Sequence, residues 1–180
     1  MCASLLSLLS AVVALLPLVD EPAAPQLVPQ PASLSVSAGR FDLTGATIIA
    51  TQASHKEARA VGQLLADALA KGLGRAPGLT PAQGRDAARD TILLTTVGAD
   101  PALGDEGYTL DVSSSSVVIR ALTGAGLFRG TQTLRQLLPT GFEAAAAAGA
   151  PLSLAALPLV TIADQPRYPW RGLLLDCGRQ

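Results

Sequence analysis

Apolar residues recur with two different periods along residues 33–164, and the two periods predict helices and strands. A spacing of three or four residues indicates a helix with one buried face, whereas strict alternation indicates a strand with one buried face. The helical spacing occurs in residues 57–73 and again in residues 125–138. The predicted buried faces are Val61, Leu64, Leu65, Ala68 and Leu69 in the first helix, and Leu127, Phe128, Thr131, Leu134, Leu137 and Leu138 in the second.

Local signals mark the ends of both predicted helices. Ser54 and Glu57 have the spacing of a capping box, in which each side chain bonds the backbone N–H of the other residue. Two glycines end the first helix, and Pro139 ends the second because proline lacks the N–H that a helix interior requires. His55, the one histidine of the chain, falls at the first turn, where we expect exposure to solvent rather than catalysis.

Four further segments predict strands. Residues 91–96 are mostly apolar, and residues 107–112 alternate apolar and polar positions before a turn of four serines. Residues 117–121 follow that turn, so these two segments are predicted to form a hairpin with one buried face. Residues 159–164 predict the last strand before the composition changes.

Residues 33–50 predict one more hairpin, because two extended runs flank an Ala-Gly turn. Residues 74–90 and 139–158 are rich in Gly, Pro or Ala and predict loops, the second of which is expected to be mobile. Strands and hairpins thus alternate with two helices along the chain. This order predicts an α+β fold, a largely antiparallel sheet with two helices on one face.

The segment over residues 166–180 has a pattern of its own. Two prolines disfavour helix at the residues before them, which predicts an extended approach. Three leucines then follow without polar alternation, as in a strand that is buried on both faces of a parallel sheet. Asp176 and Arg179 come next, where the strands of a parallel barrel carry substrate-facing groups. We therefore expect this segment to begin a second domain.

Residues 3–19 are almost wholly apolar, which fits the hydrophobic region of a signal peptide and is short for a transmembrane helix. Ala23-Ala24 offers small residues for cleavage, so residues 1–24 are predicted to be a leader and the protein to be secreted or periplasmic, with no stable membrane span. No Lys or Arg precedes Arg40, which leaves an uncleaved anchor or a misassigned start as alternatives. Cys2 precedes the apolar run and so does not fit a lipoprotein site.

The balance of charges argues against nucleic acid as a partner. Thirteen Lys and Arg residues stand against fourteen Asp and Glu residues, for a net charge of −1. No basic cluster stands out along the sequence. Because phosphate binding needs concentrated positive charge, we expect no nucleic-acid interface.

Two short motifs suggest chemistry that their context does not support. Residues 124–130 carry three glycines between a strand and a helix, but their spacing differs from the dinucleotide-binding motif. Close packing accounts for these glycines better. Asp105 and Glu106 are adjacent carboxylic acids, a residue type used in general acid–base catalysis, yet they lie in a loop before a strand, where we expect a structural role. No cofactor, metal ligand or catalytic residue is predicted within the chain.

Three motifs carry a resemblance to a known family. They are residues 170–179 (Trp-Arg-Gly-Leu-Leu-Leu-Asp-Cys-Gly-Arg), residues 126–138 and Glu106-Gly107-Tyr108. The chain resembles the family 20 glycoside hydrolases, the β-N-acetylhexosaminidases, over roughly residues 27–179. Two positions depart from the family pattern: Gln180 stands where histidine is usual, and Arg129 stands where an aromatic residue is usual.

The resemblance implies a non-catalytic α+β domain over residues 25–165 and, over residues 166–180, the first strand of a truncated (β/α)8 barrel that is catalytic in this family. The full-length protein would be a secreted hydrolase of terminal N-acetylhexosamine in glycans or chitin-type oligosaccharides, without a cofactor. In the family the substrate's own 2-acetamido carbonyl is the nucleophile, while an Asp orients it and an adjacent Glu protonates the leaving oxygen. That pair would lie beyond Gln180, so the chain is expected to be inactive without the missing catalytic barrel of the same polypeptide.

Arg179 is the one substrate-binding residue that the resemblance implies. In the family, the arginine at this position hydrogen-bonds hydroxyls of the N-acetylhexosamine, and a rigid guanidinium fork suits two adjacent hydroxyls. A structural ion pair with Asp176 is the alternative for this residue.

Two other functions compete with a β-N-acetylhexosaminidase. The chain could be the leading domain of another glycosidase, such as an α-glucuronidase or an O-GlcNAcase relative, although residues 170–176 argue against this. It could also be a non-catalytic secreted domain that binds carbohydrate or another partner.

Overall fold

The computed structural model describes residues 24–82, 86–174 and 178. The predicted leader, except for its last residue, lies outside these ranges, as do Asp176 and Arg179. The elements in chain order are β1 (Ser33–Thr44), β2 (Ile48–Gln52), α1 (Lys56–Leu73), β3 (Gly78–Ala82), β4 (Thr91–Thr95), β5 (Tyr108–Val112), β6 (Ser116–Arg120), α2 (Gly124–Gln136), α3 (Gly141–Ala147) and β7 (Leu154–Asp164). A short 3-10 helix over Pro101–Leu103 precedes β5.

The strands form one seven-stranded sheet in the order β1-β7-β5-β6-β4-β2-β3. The α+β class is confirmed, and α1 and α2 pack on one face of the sheet as predicted. The sheet is mixed rather than largely antiparallel: the pairs β1–β7, β7–β5 and β5–β6 are antiparallel, whereas β6–β4, β4–β2 and β2–β3 are parallel. The parallel pairing of β2 with β3 arises because α1 crosses over between them and so brings the chain back in the same direction.

The predicted hairpin over residues 33–50 is wrong. β1 runs without a break through the Ala-Gly pair and lies against β7, while β2 lies on the far side of the sheet. A register shift between Ser37 and Arg40 accommodates the extra residues, and Gly39 adopts a φ of 114° there. Because glycine tolerates this conformation, the pair forms a bulge in a continuous strand instead of a turn.

The segment that was predicted as a loop over residues 74–90 contains a strand. β3 pairs in parallel with β2 at the edge of the sheet, from Ile48 opposite Gly78 to Gln52 opposite Ala82. Its sequence includes Pro81, which lacks a backbone donor, and an edge position tolerates this because one side of the strand has no neighbour.

The predicted capping box of α1 is wrong as well. His55 is the N-cap, and its Nδ1 accepts a hydrogen bond of 3.2 Å from the backbone N–H of Ala58. The Glu57 carboxylate instead accepts the backbone N–H of Gly124 at 3.0 Å, at the start of α2. Glu57 thus connects the beginnings of two helices, where a negative charge is favoured by the helix dipole. His55 is half-buried in its role as a cap.

Two apolar residues of the predicted helix faces point away from the core. Leu64 is 56% exposed and Phe128 is 43% exposed, whereas the adjacent Leu65 and Leu127 are buried. Small residues take much of the buried side of α1, and at Gly62 a Cβ would lie only 2.6 Å from Thr51 Cγ2. The helix therefore lies close to the sheet along its small residues. The buried face predicted from leucine spacing alone is rotated about the helix axis relative to the observed buried face.

The predicted mobile loop over residues 139–158 is also corrected, because it contains α3 and the first half of β7. Phe142, on α3, is only 1% exposed and belongs to the main core. Its ring lies against Gly72 of α1, where an added Cβ would come within 2.2 Å of a ring carbon. The segment therefore covers the end of α1.

Among the described residues, no helix is long and apolar enough to cross a membrane.

Candidate functional site

A cleft of about 620 Å³ lies between the segment before β1, the outer side of α2 and the segment that follows β7. Its walls combine aromatic rings, amide side chains and arginines. The residues that line it include Gln30, Glu106, Tyr108, Phe128, Arg129, Gln132, Thr133, Gln136, Asp164, Arg167, Tyr168 and Arg171.

Glu106 joins two sides of this cleft. Its Oε2 accepts a hydrogen bond from Arg129 on α2 and another, of 2.6 Å, from Nη2 of Arg171 in the segment after β7. Arg171 also donates to the backbone carbonyl of Tyr168, which fixes the guanidinium from its other side. One carboxylate therefore bridges a helix of the domain and the segment that leaves it.

The loop that carries Glu106 is itself held in place. The Thr123 hydroxyl donates to the Asp105 carbonyl at 2.6 Å, just before α2 begins. An added Cβ at Gly126 would come within 2.4 Å of the Gly107 carbonyl oxygen, so the first turn of α2 lies directly on this loop. The glycine-rich start of α2 permits this close approach, as the sequence predicts.

The electrostatics of Glu106 suit an ion pair. Partial desolvation acts to raise its pKa, but the hydrogen bonds and positive charges of Arg129 and Arg171 outweigh this and lower the pKa below its usual value. A general acid needs the opposite shift in a closed pocket. This geometry favours the structural interpretation of Asp105 and Glu106 over a catalytic one.

Tyr108 forms the floor of the cleft. Its hydroxyl lies 2.5 Å from the Thr133 hydroxyl on α2, and the tyrosine itself is buried. Burial raises the pKa of the Tyr108 phenol, the hydrogen bond with Thr133 acts against this, and the carboxylate of Asp164 raises it further. Tyr108 is therefore held neutral as a packing residue between β5 and α2.

The segment before β1 closes another side of the cleft. The Val28 N–H donates to Gln136 Oε1 at 2.9 Å, and Gln136 Nε2 donates back to the Val28 carbonyl at 3.1 Å. The Ala32 N–H donates to Asp164 Oδ1 at 3.1 Å. Side chains of α2 and β7 thus hold the proline-rich segment before β1 in place through hydrogen bonds to its backbone.

The segment after β7 leaves large apolar side chains in solvent. Tyr168 is 69% exposed, Trp170 84%, Leu173 83% and Leu174 94%. Contiguous exposed apolar side chains commonly mark a surface that another polypeptide covers. The cleft and this segment are therefore adjacent, and the segment exposes four large apolar or aromatic side chains.

The structure leaves the main predicted site residue untested, because Arg179 lies outside the described residues together with Asp176. It does bring together Glu106, Arg129 and Arg171, which are far apart in sequence and which sequence reasoning did not connect. The sequence did carry one signal for this contact. At position 129 an arginine stands where an aromatic residue is usual, and its positive charge suits the carboxylate of Glu106. Within the described residues, no group of three or more metal-ligating side chains is present.

The described part of the chain is therefore an α+β domain with one helix-covered face and a cleft that borders its own exit segment. Residues 24–165 match the family model described as glycosyl hydrolase family 20, domain 2. This match spans most of the sequence, and the chain belongs to glycosyl hydrolase family 20.

Individual relatives agree with this assignment. The chain is 34% identical over 154 residues to a β-N-acetylhexosaminidase of Cellulomonas fimi and 32% identical over 155 residues to a β-hexosaminidase of Porphyromonas gingivalis. Each alignment covers 85% of this chain, but only 28% and 19% of those relatives. Among solved structures, the β-N-acetylhexosaminidase of Streptomyces coelicolor A3(2) is 36% identical with a TM-score of 0.65, over 83% of this chain and 29% of that one.

Proposed function

We propose that this chain is the N-terminal part of a secreted β-N-acetylhexosaminidase that releases terminal N-acetylhexosamine from glycans or chitin-type oligosaccharides. The observation that carries the proposal is the match of residues 24–165 to domain 2 of glycosyl hydrolase family 20, together with relatives that are named as hexosaminidases. The chain spans less than a third of these relatives, so the catalytic groups are assigned to a domain that follows the α+β domain.

The proposed mechanism is substrate-assisted. The 2-acetamido carbonyl of the sugar attacks its own anomeric carbon, a carboxylate orients the acetamido group, and a neighbouring carboxylic acid protonates the leaving oxygen. Glu106 is a poor candidate for that acid because two arginines lower its pKa. The α+β domain would instead support the catalytic domain, and the cleft with its exposed exit segment would be part of their contact surface.

Within this function, Arg179 is proposed to bind hydroxyls of the N-acetylhexosamine. In the full-length protein, Arg179→Ala is expected to lower kcat/KM on a chromogenic N-acetylglucosaminide by roughly 100-fold, the size of losing one or two hydrogen bonds to a charged group. The thermal midpoint is expected to stay near that of the wild type. The 180-residue chain alone is expected to show no turnover of the same substrate.

A matched control for this experiment is Arg40→Ala, which removes an exposed arginine of β1 that pairs with Asp42. It is expected to leave kcat/KM unchanged. If Arg179→Ala lowers the thermal midpoint and the remaining folded enzyme keeps its activity, Arg179 is a structural residue. Turnover by the 180-residue chain would show that the proposed division between the two domains is wrong.

We propose export because residues 3–19 are almost wholly apolar and Ala23-Ala24 offers small residues for cleavage. We expect the intact mass of protein from the exterior or the periplasm to correspond to removal of residues 1–24. The matched sample is the same protein with a charged residue placed in the leader, Leu8→Arg, which is expected to stay unprocessed. Recovery of the wild type at full length in the cytoplasm would contradict export.

A further inference from the structure

Glu106, Arg129 and Arg171 form one ionic cluster across the cleft. Arg129 belongs to α2, and Arg171 belongs to the segment that leaves the domain after β7. Each of the three side chains is between about a third and two-fifths exposed, so water reaches the cluster and neither arginine is forced into place by packing alone. The carboxylate is therefore the group that holds the two guanidinium groups near each other.

The charge balance makes the cluster depend on Glu106 in particular. Two positive charges share one carboxylate oxygen, and without that negative charge the two arginines would repel each other. The lowered pKa of Glu106 has the same origin and shows that the carboxylate is stabilised in its charged form. Loss of the charge would thus release Arg171 and also push it away from α2.

Two other contacts fasten the beginning of the same segment. Asp164 Oδ1 accepts the Ala32 N–H at 3.1 Å. The Gln165 amide, oriented so that its nitrogen faces two carbonyl groups, donates to Ala102 at 3.2 Å and to Leu103 at 3.3 Å. The third contact is the ion pair of Arg171 with Glu106, six residues beyond Gln165. Trp170, next to Arg171, is 84% exposed. The contact of Arg171 with Glu106 therefore restrains the chain beyond residue 165.

We propose that Glu106 is a positioning residue that holds Arg171 against Arg129 and thereby fixes the course of residues 166–174 toward the following domain. The consequence for catalysis rests on the proposed function, because Arg179 lies eight residues beyond Arg171. Because residues 166–174 precede Arg179 directly in the chain, loosening them at Arg171 is expected to shift Arg179 as well, and a small misplacement of a substrate-positioning group is costly. Displacement of a sugar-binding arginine weakens substrate binding without removing the catalytic acid.

The first experiment is limited trypsin digestion of the 180-residue chain, followed by mass spectrometry. Glu106→Gln keeps the size of the side chain and removes its charge, and it is expected to speed cleavage at Arg171–Gly172 by about three- to tenfold. Cleavage at Arg75–Ala76, in an exposed loop elsewhere, serves as the internal reference. The matched control is Glu143→Gln, which removes the carboxylate partner of Arg135, another arginine of α2, and is expected to leave both rates unchanged.

Salt gives a readout that a purely steric role would not affect. Raising sodium chloride from 0.05 to 0.5 M screens an exposed ion pair. In the wild type it is expected to raise cleavage at Arg171–Gly172 relative to Arg75–Ala76. In Glu106→Gln the ratio is expected not to rise, because salt there screens only the repulsion between Arg129 and Arg171. Equal ratios in Glu106→Gln, Glu143→Gln and the wild type at low salt would overturn the proposal.

The second experiment uses the full-length enzyme and separates KM from kcat. Glu106→Gln is expected to raise KM at least threefold while kcat stays within about twofold. The reason is that the sugar-binding Arg179 is displaced, whereas the catalytic acid of the following domain is not. A fall in kcat at unchanged KM would mean loss of folded enzyme and would contradict a positioning role. If the wild-type enzyme does not cleave N-acetylhexosaminides at all, the proposed function fails, while the trypsin experiment still decides the role of Glu106 in holding the segment.

Discussion

Leu65→Ala is expected to lower the free energy of unfolding of the 180-residue chain by about 2–5 kcal/mol, whereas Leu64→Ala is expected to change it by less than about 0.5 kcal/mol. The two residues are neighbours on α1 and have the same side chain. Leu65 is 2% exposed in the main core, and Leu64 is 56% exposed on the outer side of the helix. Truncation of Leu65 leaves a cavity against the sheet, and truncation of Leu64 leaves none.

Chemical denaturation of the two variants and the wild type, monitored by far-ultraviolet circular dichroism, measures the difference. Because both substitutions replace leucine by alanine within one helix, the change in helix propensity is the same and cancels. Similar losses for the two variants would mean that α1 is rotated relative to the orientation described. The comparison is therefore a direct test of which face of α1 packs on the sheet.

Phe142→Ala is expected to lower the free energy of unfolding by about 3–5 kcal/mol, the usual cost of removing a buried phenylalanine ring. The ring is 1% exposed and lies over Gly72, so no other side chain can fill the space that it leaves on that side. This result would be the opposite of what a mobile loop over residues 139–158 predicts, since truncation in such a loop costs little.

The control for Phe142 is Ala147→Ser at the end of the same helix, where the side chain is exposed. It is expected to change the free energy of unfolding by less than about 0.5 kcal/mol. The same denaturation experiment measures both variants. A loss below about 1 kcal/mol for Phe142→Ala would show that α3 is not an integral part of the core in solution.

The cleft gives a physical picture of how a domain with no assigned catalytic residue could affect catalysis. The exit segment is held where Arg171 contacts Glu106 and the Tyr168 carbonyl, while Trp170, Leu173 and Leu174 remain exposed. In the proposed enzyme, those residues would be buried by the following domain. The α+β domain would then act as a rigid base from which the first barrel strand starts.

Several elements could be predicted from sequence because their signals are local. The period of apolar residues placed α1 and α2 within one or two residues of their observed bounds, since a helix buries every third or fourth residue. Alternation and the four-serine turn predicted the β5–β6 hairpin, which forms with Leu110 opposite Ile119. The family motifs over residues 106–108 and 126–138 are also local, because the first leads into β5 and the second covers most of α2 and its end, and they led to the correct family.

The sequence by itself therefore determined the α+β class, the two long helices, the central hairpin and the family. The tertiary structure alone decided the features that depend on distant residues: the parallel pairing of β3 with β2, the burial of Phe142 against Gly72, and the contact of Glu106 with Arg171, 65 residues away. Local patterns cannot show these, because strand partners, close helix contacts and ion pairs arise only when the folded chain brings remote segments together. For the same reason leucine spacing does not show the role of small residues such as Gly62, which permit α1 to pack closely on the sheet with Leu64 toward solvent.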